Sequence, residues 1–268
     1  MKMMKIFRVI PMLTAIAVLL FSCEKEERIV DANYLPQQVY LPAANPSNAP
    51  TGVYFVNSVA VPGQTFRYVV DLPNNKFTIP LAVYRSGVDR KGTVTANLTV
   101  NSDTVSKLLQ VQGKFPAGTE ALPSDKFALT PTVFIGDGAD ISTFSLQVDL
   151  NHLRANLAKK FVIAVKISTS SVGIGKLSDA VILIDPAFLS PTANFTTTTT
   201  SGKILNVSNT SLNAVSYAWN YGDGTPVSTK KDDPHTYAAA GTYDVTLTAF
   251  GPLGDANKSV KTISVLIN

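Results

Sequence analysis

The residues in this chain that could do chemistry are few. Its 268 residues include two histidines, His152 and His235, and one cysteine, Cys23, too little for a zinc site, thiol chemistry or a disulfide framework. Any catalysis would fall to carboxylates. Glycoside hydrolysis needs two of them several Å apart in a cleft, and Asp125, Asp137, Asp140 and Asp223 are the acids that stand in turns. Each has a simpler reading, because a turn aspartate accepts hydrogen bonds from nearby backbone N–H groups. A nucleophilic triad would have to recruit His152 or His235, and the sequence has no G-x-S-x-G turn to present a serine.

The densest stretch is "WNYGDGTPVSTKKDDPHTY", residues 219–237. Gly222 and Gly224 permit positive φ on either side of Asp223, whose carboxylate can cap the backbone of the turn. A phosphate loop would need Lys and Ser or Thr in the G-x-x-x-x-G-K spacing, and an EF-hand would need further acids before a terminal Glu. Neither pattern is present. Asp223, Asp232, Asp233 and Asp255 are the acids a calcium ion would draw on, but a structural turn accounts for them without a ligand. The expectation is therefore no metal, no cofactor and no catalytic residue.

Aromatic side chains offer the remaining chemistry. Exposed Tyr or Trp rings bury the apolar faces of sugars while polar neighbours engage hydroxyls. Trp219 alternates with polar neighbours and is expected in a core, so the candidate ligand platform is Tyr34, Tyr40, Tyr54 and Tyr68 in the less regular early segment.

The elements that position these residues read as strands. "TFSLQVDL" places Phe144, Leu146, Val148 and Leu150 on one face and Thr143, Ser145, Gln147 and Asp149 on the other, the period of a half-buried strand. "FTIPLAVY", "GTVTANLTV", "KFVIAVKIS" and "DAVILID" are further runs of strand length, separated by turn signals such as "RSGVDRKG" and "IGDGAD". Only "DTVSKLLQVQG" and "LNHLRANLAKK" have helical spacing. Many short strands at this spacing predict an all-β protein of two immunoglobulin-like antiparallel β-sandwich domains in tandem. Pro186 and Pro191 bracket a short linker, which puts the boundary near residue 188. The run "TTTTTSG" that follows is expected to form or flank an edge strand.

The N-terminus reads as a secretory signal over residues 1–22: a basic "MKMMKIFR", then an apolar "VIPMLTAIAVLLF" too short for a comfortable transmembrane helix. "LFSC" resembles a lipobox, which implies that Cys23 is lipidated and that residues 23–33 form a tether. "EKEE", Glu24 to Glu27, resembles the signal that sends lipoproteins to the outer face of the outer membrane in glycan-degrading Gram-negative bacteria. The net charge of +4 includes Lys2, Lys5 and Arg8; removal of the signal leaves 20 basic against 19 acidic side chains. Nucleic acid is not an implied partner.

Two family resemblances follow. "WNYGDGTPVS" with "PHTYAAAGTYDVTLTA" resembles the PKD domain, an immunoglobulin-like sandwich. The shared positions include Trp219, Gly222, Asp223, Gly224, His235, Tyr237, Gly241, Tyr243, Val245 and Leu247. The resemblance implies that His235 is structural and that residues 188–268 are this domain. Residues 34–187, through the order of "VYLP", "PLAVYRSG", "ALPSDKFAL" and "VFIGDGADISTFSLQVDLNHL", resemble an immunoglobulin-like domain of unknown function near the N-terminus of lipoproteins from glycan-utilisation systems. Together these imply a non-catalytic, outer-membrane, cell-surface lipoprotein that binds or adheres to extracellular glycan. The alternative is a structural spacer or protein-interaction subunit of an outer-membrane complex.

Overall fold

The computed structural model describes residues 36–56 and 67–268. Cys23, Tyr34, the signal segment, the tether and Glu24 to Glu27 lie outside the described residues. Residues 36–268 form one compact unit.

The first part of this unit holds β1 (Gln38–Tyr40), β2 (Tyr54–Val56), β3 (Val69–Asp71), β4 (Lys76–Ser86), β5 (Val94–Val100), β6 (Thr119–Ala121), β7 (Phe127–Leu129), β8 (Thr132–Ile135), β9 (Ile141–Asp149), β10 (Lys160–Ser168), β11 (Gly173–Ile174) and β12 (Asp179–Ile184). They make two sheets, ordered β11-β1-β4-β9-β7 with β3 beside β4, and β2-β12-β10-β5-β8 with β6 beside β10. Alternation in the sequence sets the layers. Phe77, Ile79, Leu81 and Val83 of β4 and Phe144, Leu146 and Val148 of β9 meet the inward residues of β5, β10 and β12 in one core. The two helical stretches become α1 (Ser102–Leu109), capped by Asn101, and α2 (Leu150–Ala155), capped by Asp149. α1 contributes Val105 to a second cluster with Val162 and Ala164, on the outer side of the second sheet.

The fold class is all-β with two sandwiches, as the alternation predicts, but the pairing is not wholly antiparallel. β1 runs parallel to β11, β2 to β12 and β6 to β10. These short strands arrive through long connections, which parallel pairing requires and hairpins do not provide.

The turn signals "RSGVDRKG" and "IGDGAD" are tied together from inside. Arg85 is 3% exposed and donates to the carbonyls of Arg90 at 2.6 Å, Gly92 at 2.7 Å, Gly136 at 3.1 Å and Ala139. Asp137 accepts the Gly92 N–H at 2.6 Å. The fork of a guanidinium supplies donors in fixed directions, which suits a cage of carbonyls from two loops.

The second part comprises β13 (Phe195–Thr200), β14 (Ile204–Asn209), β15 (Ser216–Asn220), β16 (His235–Thr236), β17 (Gly241–Gly251) and β18 (Gly254–Ile267). Its sheets are β13-β14-β16 and β15-β17-β18, so the threonine run lies on an edge strand. Trp219, Tyr221, Tyr237, Val245, Leu247, Leu205 and Phe195 fill the space between them.

The segment between the sandwiches is packed. Phe188 and Leu189 are 2% and 0% exposed and join the first core, as does Leu253 from the tip of the β17–β18 hairpin. Gly251 sits so close to this segment that a Cβ there would lie 2.8 Å from the Pro191 ring and 3.0 Å from the Leu189 carbonyl. Asn257 donates to that same carbonyl at 2.6 Å.

Candidate functional site

Of the expected platform, Tyr40, Tyr54 and Tyr68 are among the described residues, and none of the three stands fully exposed. Tyr40 is half-buried and lies against Tyr84, its partner across β4, with ring centroids 5.7 Å apart. Tyr54 is half-buried, and the Arg67 guanidinium covers its ring at 4.2 Å. Burial raises its hydroxyl above the ordinary tyrosine range despite the opposing charge of Arg67. Tyr68 is a correction: it is 5% exposed and packs against Phe77 at 5.1 Å and Phe188 at 4.7 Å. Its ring faces are taken by the core because the chain re-enters β3 directly over the segment 186–189.

Phe134 is the aromatic that the sequence reading missed. It is 62% exposed, the one aromatic side chain among the described residues that stands mostly in solvent. β8 is the edge of the second sheet, with Val133 and Ile135 in the core and Thr132 and Phe134 outside. Thr95 of β5 lies directly opposite Phe134, and Asn97 opposite Thr132, whose hydroxyl donates to the Asn97 side chain at 3.1 Å. Ser168 and Lys166 of β10 continue the same face beyond Asn97 and Thr99. The result is one ring standing on a sheet face of hydroxyl, amide and ammonium groups.

The turn acids are committed to protein partners. Asp137 holds the Gly92 N–H. Asp140 pairs with Arg90 at 3.3 Å and Asp125 with Lys126 at 2.8 Å, ion pairs where the sequence suggested backbone caps. The His152 ring lies tilted against Phe161, centroids 4.8 Å apart.

In the second sandwich Gly222 and Gly224 have φ of 76° and 80°, as the turn reading predicts. Asp223 accepts the Thr225 N–H at 3.1 Å and hydroxyl at 2.6 Å through one oxygen, and His235 Nε2 at 2.7 Å through the other. The His235 ring stacks on Tyr221 at 4.1 Å and meets Tyr237 edge-on at 4.7 Å. Trp219, 0% exposed, donates its indole N–H to the Lys230 carbonyl at 3.1 Å. Asp232 accepts the Asn209 N–H at 2.7 Å and Asp233 pairs with Lys230 at 2.8 Å. Among the described residues no three His, Cys, Asp or Glu side chains are placed to share a metal ion.

This arrangement of the Gly-Asp-Gly turn against the His-x-Tyr strand matches, over residues 191–264, the family model of the PKD domain. The second sandwich is a PKD domain. Solved relatives at 30% identity are the PKD1 domain of Vibrio anguillarum Epp, covering 30% of this chain and 94% of its own with a TM-score of 0.27, and that of the Vibrio cholerae metalloprotease PrtV, covering 30% and 98% with the same TM-score. A second model, for an N-terminal domain family, matches residues 36–174. That is more than half of the chain, which belongs to this family. A Bacteroides ovatus protein described as a candidate carbohydrate-binding protein aligns over 86% of this chain and 70% of its own at 12% identity, with a TM-score of 0.39. No curated protein matches the chain.

Within the PKD domain the Asp223–His235 contact is built to hold the turn. Burial pushes the Asp223 carboxyl up, but the hydrogen bonds from the Thr225 hydroxyl, His235 and the Thr225 N–H outweigh it, with the His235 charge adding to them. Together they bring it down to about 2. A carboxylate held below its unfolded pKa contributes stability that is present above the ordinary carboxylate range and lost as pH falls towards the folded value. The melting temperature of the PKD domain, followed by Trp219 fluorescence, is therefore expected to fall between about pH 4 and pH 2. Asp223→Asn should melt lower at neutral pH and show a smaller fall over that window. An equal fall in both proteins would show that Asp223 is not the group responsible.

Proposed function

We propose that this chain is a non-catalytic surface lipoprotein that holds extracellular glycan, anchored through Cys23 and displayed outward by the Glu24 to Glu27 segment. The observation that carries the reading is Phe134: a solvated ring on a sheet face whose other side chains are hydroxyls, an amide and an ammonium group. A single exposed ring is ordinary by itself; its setting is what supports the reading, because sugars present the matching combination of apolar ring faces and hydroxyl edges. The commitment of the turn acids to ion pairs and caps supports a role in binding and not in hydrolysis. Lipid anchoring would hold a weak site where polymers arrive and raise its effective concentration.

The spacer reading has its own support in the buried hairpin tip, which stiffens the join between the two sandwiches. The two readings separate on one variant. Phe134→Ala removes a ring that is mostly in solvent, so thermal unfolding should be unchanged, while retention by a polysaccharide in affinity electrophoresis should weaken. Retention equal to that of the parent would move the site elsewhere.

A further inference from the structure

We infer that the first sandwich carries a second saccharide site on its opposite outer face, so that one protein bridges two glycan chains; this rests on the glycan-binding reading above. The site is an open cleft of about 250 Å³ where the β3–β4 turn, the turn Ser124–Lys126, β7 and the end of β9 meet. That volume lies just below the usual range of roughly 300–1,000 Å³ for small-molecule sites, a size for a sugar ring and not for a large cofactor.

Its polar groups are fixed in advance. Asn74 donates its N–H at 3.1 Å and its amide at 2.8 Å to Asp71. Asn75, in the left-handed region at φ 54°, donates its amide to Asp149 at 2.9 Å. Lys126 is held by Asp125. These bonds leave the amide oxygens of Asn74 and Asn75 unused on side chains that are already held, and the Lys76 ammonium and the Gln147 amide stand beside them. The two asparagines lose little entropy on binding.

The lining selects against other ligands. Asp125 and Asp149 disfavour an anion despite the lysines, and the groups fixed here are too polar for an apolar guest. A neutral polyhydroxyl ring, which gives and accepts hydrogen bonds at adjacent positions, suits this mixture of carboxylate, ammonium and amide groups.

Position supplies the bridging. Lys76 and Gln147 point outward from β4 and β9, between core residues Phe77, Leu146 and Val148. Phe134 points outward from the other sheet, and packed sheets lie about 10 Å apart. The two sites therefore lie on opposite faces and also towards opposite ends of the strands, since Lys76 pairs with Asp149 at one end of the β4–β9 ladder while Phe134 stands beside Gly136, which Arg85 holds at the other end. An extended chain that lies on one face does not reach the other.

The test uses residues 24–268 as the parent protein, the Phe134→Ala variant and a Lys76→Ala, Gln147→Ala double variant, all checked by thermal unfolding. Xyloglucan, arabinoxylan, pectic galactan, mixed-linkage β-glucan and yeast mannan serve as probes in affinity electrophoresis. Equilibrium dialysis follows, with an oligosaccharide cut from whichever polymer retains the parent. The expected result is two oligosaccharides bound per parent chain and one per chain of each variant, with light scattering from bridged polymer seen for the parent alone. One oligosaccharide per parent chain, or a double variant that binds and bridges as the parent does, overturns the second site while leaving the Phe134 site standing. No retention of the parent by any probe overturns the glycan reading itself, and this inference with it.

Discussion

Gly222→Val is expected to destabilise the PKD domain by about 3–5 kcal/mol, enough to leave much of it unfolded at 37 °C. Two independent causes add. The residue sits at φ 76°, where a β-branched side chain is strained. A Cβ there would also lie 2.7 Å from the Asp244 carbonyl oxygen and 3.1 Å from its nitrogen, backbone atoms in the middle of β17 that cannot move aside. Gly224 has the same strain, at φ 80°, but a Cβ would meet nothing within 4 Å. Gly224→Ala should therefore cost only about 1 kcal/mol. Trp219 is the single tryptophan and is buried beside this turn, so its fluorescence in a urea titration reports both variants on the intact chain. Equal midpoints for the two would show that close approach to β17 does not matter.

Arg85→Met should cost about 3 kcal/mol, because it removes a charged donor from four carbonyls and leaves those of Gly92 and Ala139 without a partner, while those of Arg90 and Gly136 keep the N–H groups of Gly138 and Ala139. The four acceptors belong to two loops far apart in sequence, and methionine keeps the packing volume while removing every donor. Arg90→Ala is the control. Its ion pair with Asp140 has side chains 55% and 39% exposed, and exposed pairs contribute about 0–1 kcal/mol. Near-ultraviolet circular dichroism during thermal unfolding distinguishes the two. If Arg85→Met melts with Arg90→Ala, the loops close without the guanidinium.

The parts of the fold legible in the sequence are those set by short-range pattern. The faces of β9, the two helices, the positive φ at Gly222 and Gly224 and the edge position of the threonine run all follow from neighbours within a few residues. What was not legible depends on phase and on distant contacts. "TVFI" holds three apolar residues in a row, so alternation alone cannot say whether Val133 and Ile135 or Phe134 faces out; β8 settles that by its place at the sheet edge. Tyr68 reads as available until Phe188, distant in sequence, packs over it. Arg85 reads as a turn residue because nothing local shows that two loops close around it. His235 reads as structural, but the sequence does not show its partner: Asp223 is twelve residues away, across a loop whose path local propensity does not specify.

On the proposed function, this chain binds glycan and does not cleave it. The most direct measurement is affinity electrophoresis of residues 24–268 across a broad polysaccharide panel, with reducing-sugar release assayed on the same samples. Retention by at least one polysaccharide is expected, with a Kd of roughly 10 μM to 1 mM, as suits a shallow site, and no release of sugar. Release would make the protein an enzyme, and free migration through every polysaccharide would leave the spacer reading in its place.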